Sequence, residues 1–513
     1  MKLFLRRNAP LFYVLAAMLA LYIPWLNRGY LNYEWGTVLA GRGLSSSEDF
    51  YYLQAYKDSG HANPLGYPFL ISLMHRVFGF KEAFWYARIP ALACALILLI
   101  WGFRELRRRD HFSVVTFYSW AALLILNPMI FAFSTSATTD VPAAALLLLS
   151  VIFLSSYFSN QKTKFVVFAA LAMGFSSCVK YVTPYFAFMV LFIFYGLYSK
   201  NIASKTKLVR DLFIFGVVAV GVLLIEVLWK WQNTGVLFSA RNEEMAPDFL
   251  NLTVWGHTFG KYLAFIGLCC GLLPVANALG ILMKSSRRRL LAMLSVFSLA
   301  AGWLFGGQLS KGELDFGGGF PFGEIIGRAL QAFGFFGATV LFLICYRHFK
   351  FGDVVSRGLL VGLVPYLVLL SASRPTQRYL IYAIPIVLLV LVEALDELPR
   401  RLKYFAVGST ALGFAAVSLL GMSYLTSQGN ASEEMAVWVE ENNLISQTSS
   451  GAISPHAGQH WWGVATDETR YEIIAVTPAT EAQVQERVLH REPMKVLGKV
   501  TRVYLLREIT KKP

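Results

Sequence analysis

Apolar runs of about 20 residues, the length that crosses a bilayer as a helix, recur along the chain up to residue 425. They fall near 10–27, 86–103, 112–132, 141–158, 164–179, 181–198, 212–230, 262–283, 290–306, 328–346, 354–372, 379–395 and 404–425. The pattern predicts an all-α polytopic membrane protein of about 13 helices. The two short runs meeting at Lys180 read either as two helices or as one broken helix. Composition agrees: 15% of the 513 residues are charged and 56% hydrophobic, too few charges to clothe several soluble domains.

The net charge of +15 raises the question of nucleic acid, but its distribution answers it. With the N-terminus inside, alternate short gaps carry Arg104, Arg107, Arg108 and Arg109, then Lys162 and Lys164, then Lys200, Lys205, Lys207 and Arg210. Lys284 with Arg287 to Arg289, Arg347 with Lys350, and Arg400, Arg401 and Lys403 follow the same alternation. The opposite gaps are poor in basic residues, so the clusters are topology signals of the positive-inside kind. The basic start, Lys2, Arg6 and Arg7, precedes an apolar run followed by Pro24, Trp25 and Arg28. No small-residue cleavage site follows, and the run reads as an uncleaved first helix.

This orientation puts a long first loop, 28–85, on the non-cytoplasmic side, with the loops 231–261 and 307–327 and the segment 426–513. Residues 1–425 then form a transmembrane domain. Residues 426–513 read as a small α/β domain, with a helical stretch at Ser432–Asn442 and a strand at Val500–Leu506.

The chemistry-bearing residues gather on that same side. The first loop reads Glu48-Asp49-Phe50-Tyr51-Tyr52-Leu53-Gln54-Ala55. As a helix it would hold Asp49 above an aromatic stripe, which an interfacial amphipathic helix also explains. Glu34 is a second carboxylate near the end of the first span. Asp140 lies in Thr139-Asp140-Val141-Pro142, where ordinary capping of a Pro-initiated helix accounts for it equally well. Lys180 and Arg378 are cations at outer helix ends. Snorkelling anchors are the usual explanation, yet the positive-inside bias disfavours cations there, which favours a functional reading: neutralising a lipid phosphate. Glu226 and Lys230 read as a local i,i+4 pair. His456 and His460 have no evident third ligand.

The layout and these motifs together resemble the C-type membrane glycosyltransferases, in the branch of the protein O-mannosyltransferases and the bacterial lipid A aminoarabinose transferases. The stretch Asp49 to Ala55 is similar to that family's acidic first-loop motif, and Asn63-Pro64-Leu65-Gly66-Tyr67-Pro68 with Ala87-Arg88 to its continuation. Thr139 to Pro142, Gly174 to Lys180, and Arg378-Tyr379 through Pro385 resemble later motifs. Where many members carry an Asp-Glu pair early in the loop, this chain has Asn32-Tyr33-Glu34-Trp35 and then Glu48-Asp49.

The resemblance implies a sugar carried on a polyprenyl phosphate and moved, with inversion, to an acceptor hydroxyl of a lipid, glycan or protein at the outer face of a bacterial inner membrane. It implies Asp49 as the base, with Glu34 as runner-up, Glu48 adjacent and Asp140 in support. Lys180 and Arg378 would face the lipid phosphate, with Arg374 and Tyr52 also binding substrate. Some relatives use a divalent metal ion and others do not. A lipid or glycan transporter or flippase is the rival reading. It calls for mid-membrane charges and repeat symmetry, and the sequence shows little of either.

Overall fold

The computed structural model describes residues 2–30, 32–47, 64–78, 85–108, 112–235, 252–284, 288–305, 324–372, 377–444, 447–450, 470–484 and 486–508. Helix α1 (Lys2–Tyr22) is followed by two shorter helices, α2 (Asn32–Gly43) and α3 (Gly66–Phe78). The bundle continues with α4 (Ile89–Arg107), α5 (Val114–Leu126), α6 (Pro128–Ser134), α7 (Asp140–Asn160) and α8 (Thr163–Val179). Next come α9 (Ala187–Ser199), α10 (Lys205–Thr234), α11 (Leu252–Cys269), α12 (Leu273–Lys284) and α13 (Arg288–Phe305). Helices α14 (Glu324–Phe351), α15 (Val354–Ser371), α16 (Ile384–Ala394) and α17 (Arg400–Glu441) complete it.

Among the described residues seven helices are long and apolar enough to cross a membrane, or nine if each of two bent pairs is one span. The reason the count falls short of 13 lies in how the remaining apolar runs are built. Two of the nine are broken: α5 and α6 meet at 64°, and the α11–α12 pair at 85°. Three apolar helices, Thr163–Val179, Thr183–Ser199 and Ala292–Leu304, are shorter than a full crossing.

Both breaks have local causes. Pro128 cannot donate to the preceding turn and forces Asn127 into extended geometry, φ −61° and ψ 125°. The Asn127 side chain caps the new helix by accepting from the N–H groups of Met129 and Ile130. Its amide also donates to the Cys269 carbonyl at 3.3 Å, so the two breaks brace each other. The second break turns at Gly271, whose φ of +56° suits a residue without Cβ.

Helix α16 is buried along Ile384–Val392, at the centre of one continuous apolar core with α4, α5 and α7. Helix α10 is the opposite case. It exposes Phe213, Val217, Val220, Leu224 and Leu228 in steps of three and four residues, one stripe of the helix. So large an apolar surface suits contact with lipid tails rather than water.

The bundle has two chemically distinct ends. At one, Arg104 and Arg108 reach Ser156 and Ser155 near the end of α7, and Lys207 reaches the Gln161 carbonyl. Arg347 with Glu397 and Lys403 with Asp396 form ion pairs. The start of α7 and the far part of α10 lie at the other end, roughly 30 Å away for a helix of about 20 residues.

The C-terminal unit is a four-stranded sheet of order β1-β2-β4-β3, with β1 (Thr448–Ser450), β2 (Tyr471–Val476), β3 (Val488–Val496) and β4 (Lys499–Glu508). Strands β3 and β4 form a hairpin turned at Leu497 and Gly498, both with positive φ. Helix α17 does not stop at residue 425. It runs unbroken to Glu441, and its last turns bury Ala431, Met435, Ala436 and Val439 against Ile473, Met494, Tyr504 and Leu506 of the sheet.

Candidate functional site

Three charged clusters lie at the end of the bundle where α7 begins. The first is centred on Glu34, in the first turn of α2 and wholly buried. Arg88 donates Nε to Oε1 and Nη2 to Oε2, each at 2.9 Å. Arg28 donates to Oε2 at 3.0 Å, and the Ala137 N–H to Oε1 at 2.6 Å. Arg88 also donates to the carbonyls of Leu26, Arg28 and Gly29. A buried carboxylate needs such compensation to stay charged, and here both oxygens are engaged. The network ties α2 to the end of α1, the start of α4 and the turn after α6.

The second cluster is centred on Asp140 and Lys180, both buried. Asp140 opens α7, but its carboxylate does not serve the capping role that sequence allowed. The residue before it, Thr139, makes no side-chain cap either. Instead the Asp140 carboxylate pairs with the Lys180 ammonium. Lys180 sits in extended geometry, φ −155°, between α8 and α9, which resolves that apolar stretch into two helices. Its ammonium lies 4.1 Å from the centre of the Tyr379 ring, within cation–π range. Arg378 interacts with the Tyr379 hydroxyl and is close enough to Lys180 to repel it. Behind the lysine, Ser176 donates to the Ala143 carbonyl at 2.7 Å, and a hydroxyl chain runs Ser176–Thr183–Tyr382 at 2.9 and 3.0 Å.

The third cluster was read from sequence as a local Glu226–Lys230 pair. Those charged groups are 4.0 Å apart, but Glu226 does more. It accepts the Leu65 N–H at 3.0 Å and the Tyr181 hydroxyl at 2.9 Å, while Lys230 donates to that hydroxyl at 2.6 Å. Glu226 thereby joins the start of α3 to α10 and to the residue next to Lys180. Gly66 makes the junction fit: a Cβ there would come within 2.6–2.8 Å of the Cys178 and Val179 backbone.

Asp140, Lys180 and Arg378 are therefore brought together, and Glu34 stands in its own cluster. Asp49, Glu48, Tyr52 and Arg374 lie outside the described residues, as do His456 and His460 and most of loops 231–261 and 307–327. Sequence reasoning missed Arg28, Tyr379 and Tyr382 as members of these clusters, and placed Arg88 only within a motif. The available signal was an arginine at each of two helix ends on the side poor in positive charge. Among the described residues no three His, Cys, Asp or Glu side chains stand together as metal ligands.

Residues 62–231 match the family model described as dolichyl-phosphate-mannose-protein mannosyltransferase. That stretch contains Leu65, Arg88, Asp140, Lys180 and Glu226. Among solved structures the chain is similar to ArnT from Cupriavidus metallidurans in the apo state, with 13% identity over 98% of each chain and a TM-score of 0.47. The same protein bound to undecaprenyl phosphate gives 12% identity over 97% of this chain and 98% of that one, with a TM-score of 0.46. The arabinosyltransferase EmbB from Mycobacterium smegmatis is similar at 13% identity over 80% of this chain and 41% of that one, with a TM-score of 0.40. No curated protein matches the chain.

Proposed function

We propose that this chain is a C-type membrane glycosyltransferase, a reading supported by the family-model match over residues 62–231, and that it transfers a sugar from a polyprenyl phosphate to an acceptor hydroxyl. The observation that carries the reading is the buried Asp140–Lys180 pair beside Tyr379 and Arg378, at the end of the bundle away from the topogenic basic clusters. A lysine and an arginine at a membrane boundary suit an anionic lipid headgroup.

In this reading Asp49 takes the proton of the acceptor hydroxyl. The oxygen attacks the anomeric carbon in line, the bond from that carbon to the phosphate oxygen breaks, and the configuration inverts. Polyprenyl phosphate leaves with its added negative charge offset by Lys180 and Arg378. Asp140 holds Lys180 in the resting site. Glu34, with both oxygens engaged by arginines and a backbone N–H, supports the wall of the site rather than accepting a proton. Glu48 is a further catalytic candidate, and Arg374 and Tyr52 bind substrate. The donor set among the described residues does not fit a metal ion.

The alternation of basic clusters supports a cytoplasmic N-terminus, a periplasmic first loop and a periplasmic sheet domain, with about 13 crossings if the three short apolar helices and α16 are counted beside the nine spans. The host membrane is then a bacterial inner membrane, and the sugar a hexose or pentose unit. The deciding assay uses purified protein, a radiolabelled polyprenyl-phosphate sugar and a membrane extract as acceptor. Asp49→Asn should abolish transfer with expression and fold intact. Full activity in both Asp49→Asn and Asp140→Asn would overturn the assignment.

A further inference from the structure

Lys180 is held by its backbone and, among the described residues, by its side chain's ion pair with Asp140 and its contact with the Tyr379 ring. Its N–H donates to the Ser176 carbonyl at 2.9 Å, and its own carbonyl accepts from Thr183 at 3.1 Å. The hydroxyl chain through Ser176, Thr183 and Tyr382 locks the same turn. The side chain therefore re-aims by rotamer alone. Among the described residues Asp140 is its carboxylate partner. Breaking a buried pair by removing one partner is strongly unfavourable unless another ion of the same sign takes the vacated place. An incoming phosphate is such an ion, and it needs the same ammonium.

We propose that Asp140 and the donor phosphate compete for Lys180, so that donor binding exchanges one counter-ion for another and releases the Asp140 carboxylate. The inference rests on the polyprenyl-phosphate reading above and adds an order of events to it. In the resting site Asp140 is neutralised by Lys180 and is a poor proton acceptor. Once phosphate has taken the lysine, Asp140 stands beside Tyr379 and Arg378 as a carboxylate free to orient the acceptor hydroxyl that Asp49 deprotonates. The site then becomes competent for the second substrate only after the first has arrived, and Lys180 is never left buried and alone.

The experiment is equilibrium binding of polyprenyl phosphate, without sugar, to the full-length protein in detergent. Removing the competitor should tighten binding. Losing the charged competitor for the ammonium, Asp140→Asn is expected to lower Kd by about tenfold or more. Asp140→Ala, which deletes the counter-ion differently, should change Kd in the same direction. Lys180→Met should weaken binding. Unchanged or weaker binding in both Asp140 variants, with wild-type binding intact, overturns the exchange and leaves the proposed function standing. Absence of binding by the wild type sinks the polyprenyl-phosphate reading, and the exchange with it.

Discussion

Arg88 clasps Glu34 through two parallel hydrogen bonds of 2.9 Å, both partners fully buried and 54 residues apart in sequence. The geometry is bidentate, and a lysine offers no planar fork to replace it. Together with Arg28 this carboxylate fastens the first helices of the chain to the start of α4.

Loss of Glu34 leaves two buried guanidinium groups without their carboxylate. Glu34→Ala should destabilise the protein by about 3–5 kcal/mol, and Arg88→Lys should also destabilise it despite keeping the charge. Thermal unfolding in detergent measures both. A melting point unchanged in Glu34→Ala would show that the network does not hold the fold.

Lys180 should matter to turnover as well as to folding, because its loss also leaves Asp140 buried without its counter-ion. If Lys180 offsets the charge of the leaving phosphate as proposed, Lys180→Met should lower kcat by about 10²–10³-fold, as expected for such electrostatic groups. Lys180→Arg should restore part of the rate. Transfer of radiolabelled sugar reads the effect, and wild-type turnover in Lys180→Met would remove Lys180 from the mechanism.

Gly66 packs against backbone, not against a side chain that yields. Gly66→Ala should therefore force α3 away from α8 at a cost of about 1–3 kcal/mol and loosen the Leu65–Glu226 hydrogen bond. Glu226→Leu, which leaves the Leu65 N–H and the Tyr181 hydroxyl without their acceptor, should cost about 1–3 kcal/mol. Unfolding midpoints of the two single variants and the double variant check this. Full additivity would mean that the two contacts are independent.

The sheet domain should be stabilised by mild acid. Glu492 on β3 is pushed up to about 7 from its usual 4.5, first by burial and then by its hydrogen bond and charge repulsion with Glu434 on α17, against a smaller pull from Lys495. His490, stacked on Trp438, also faces this junction. A carboxyl raised on folding favours the folded state most fully below about pH 4.5, and that contribution is lost as pH rises to about 7. Docking of β3 on α17 should weaken across that window, and Glu492→Gln should flatten the dependence. Limited proteolysis of the C-terminal domain against pH reads it, and equal protection at pH 5 and pH 8 would contradict it.

How much of this was legible follows from the range of each interaction. Hydropathy and basic clusters are local signals, so the helical stretches and the two ends of the bundle could be read directly. Lys180 stood out singly, because cations near helix ends on that side are rare, and Asp140 stood out as part of Thr139-Asp140-Val141-Pro142. Their pairing spans 40 residues and depends on how α7 packs beside α8, which no spacing rule encodes. Glu226 misled for the same reason. Its nearest charged neighbour in sequence was visible, whereas Leu65, 161 residues away, was not. The Asn127-Pro128 break was readable from the proline, but its bracing against Cys269 was not.

Helix α17 passes from the lipid-facing bundle into the sheet domain as one rod of 42 residues, about 63 Å long at 1.5 Å per residue. A rod of that length is a lever. Pivoting it by about 5° at its Arg400 end would swing the other end sideways by about 5 Å, more than one strand spacing. Any small adjustment of the spans around Thr410 and Ser418 that tilted the rod would thus reach the sheet enlarged.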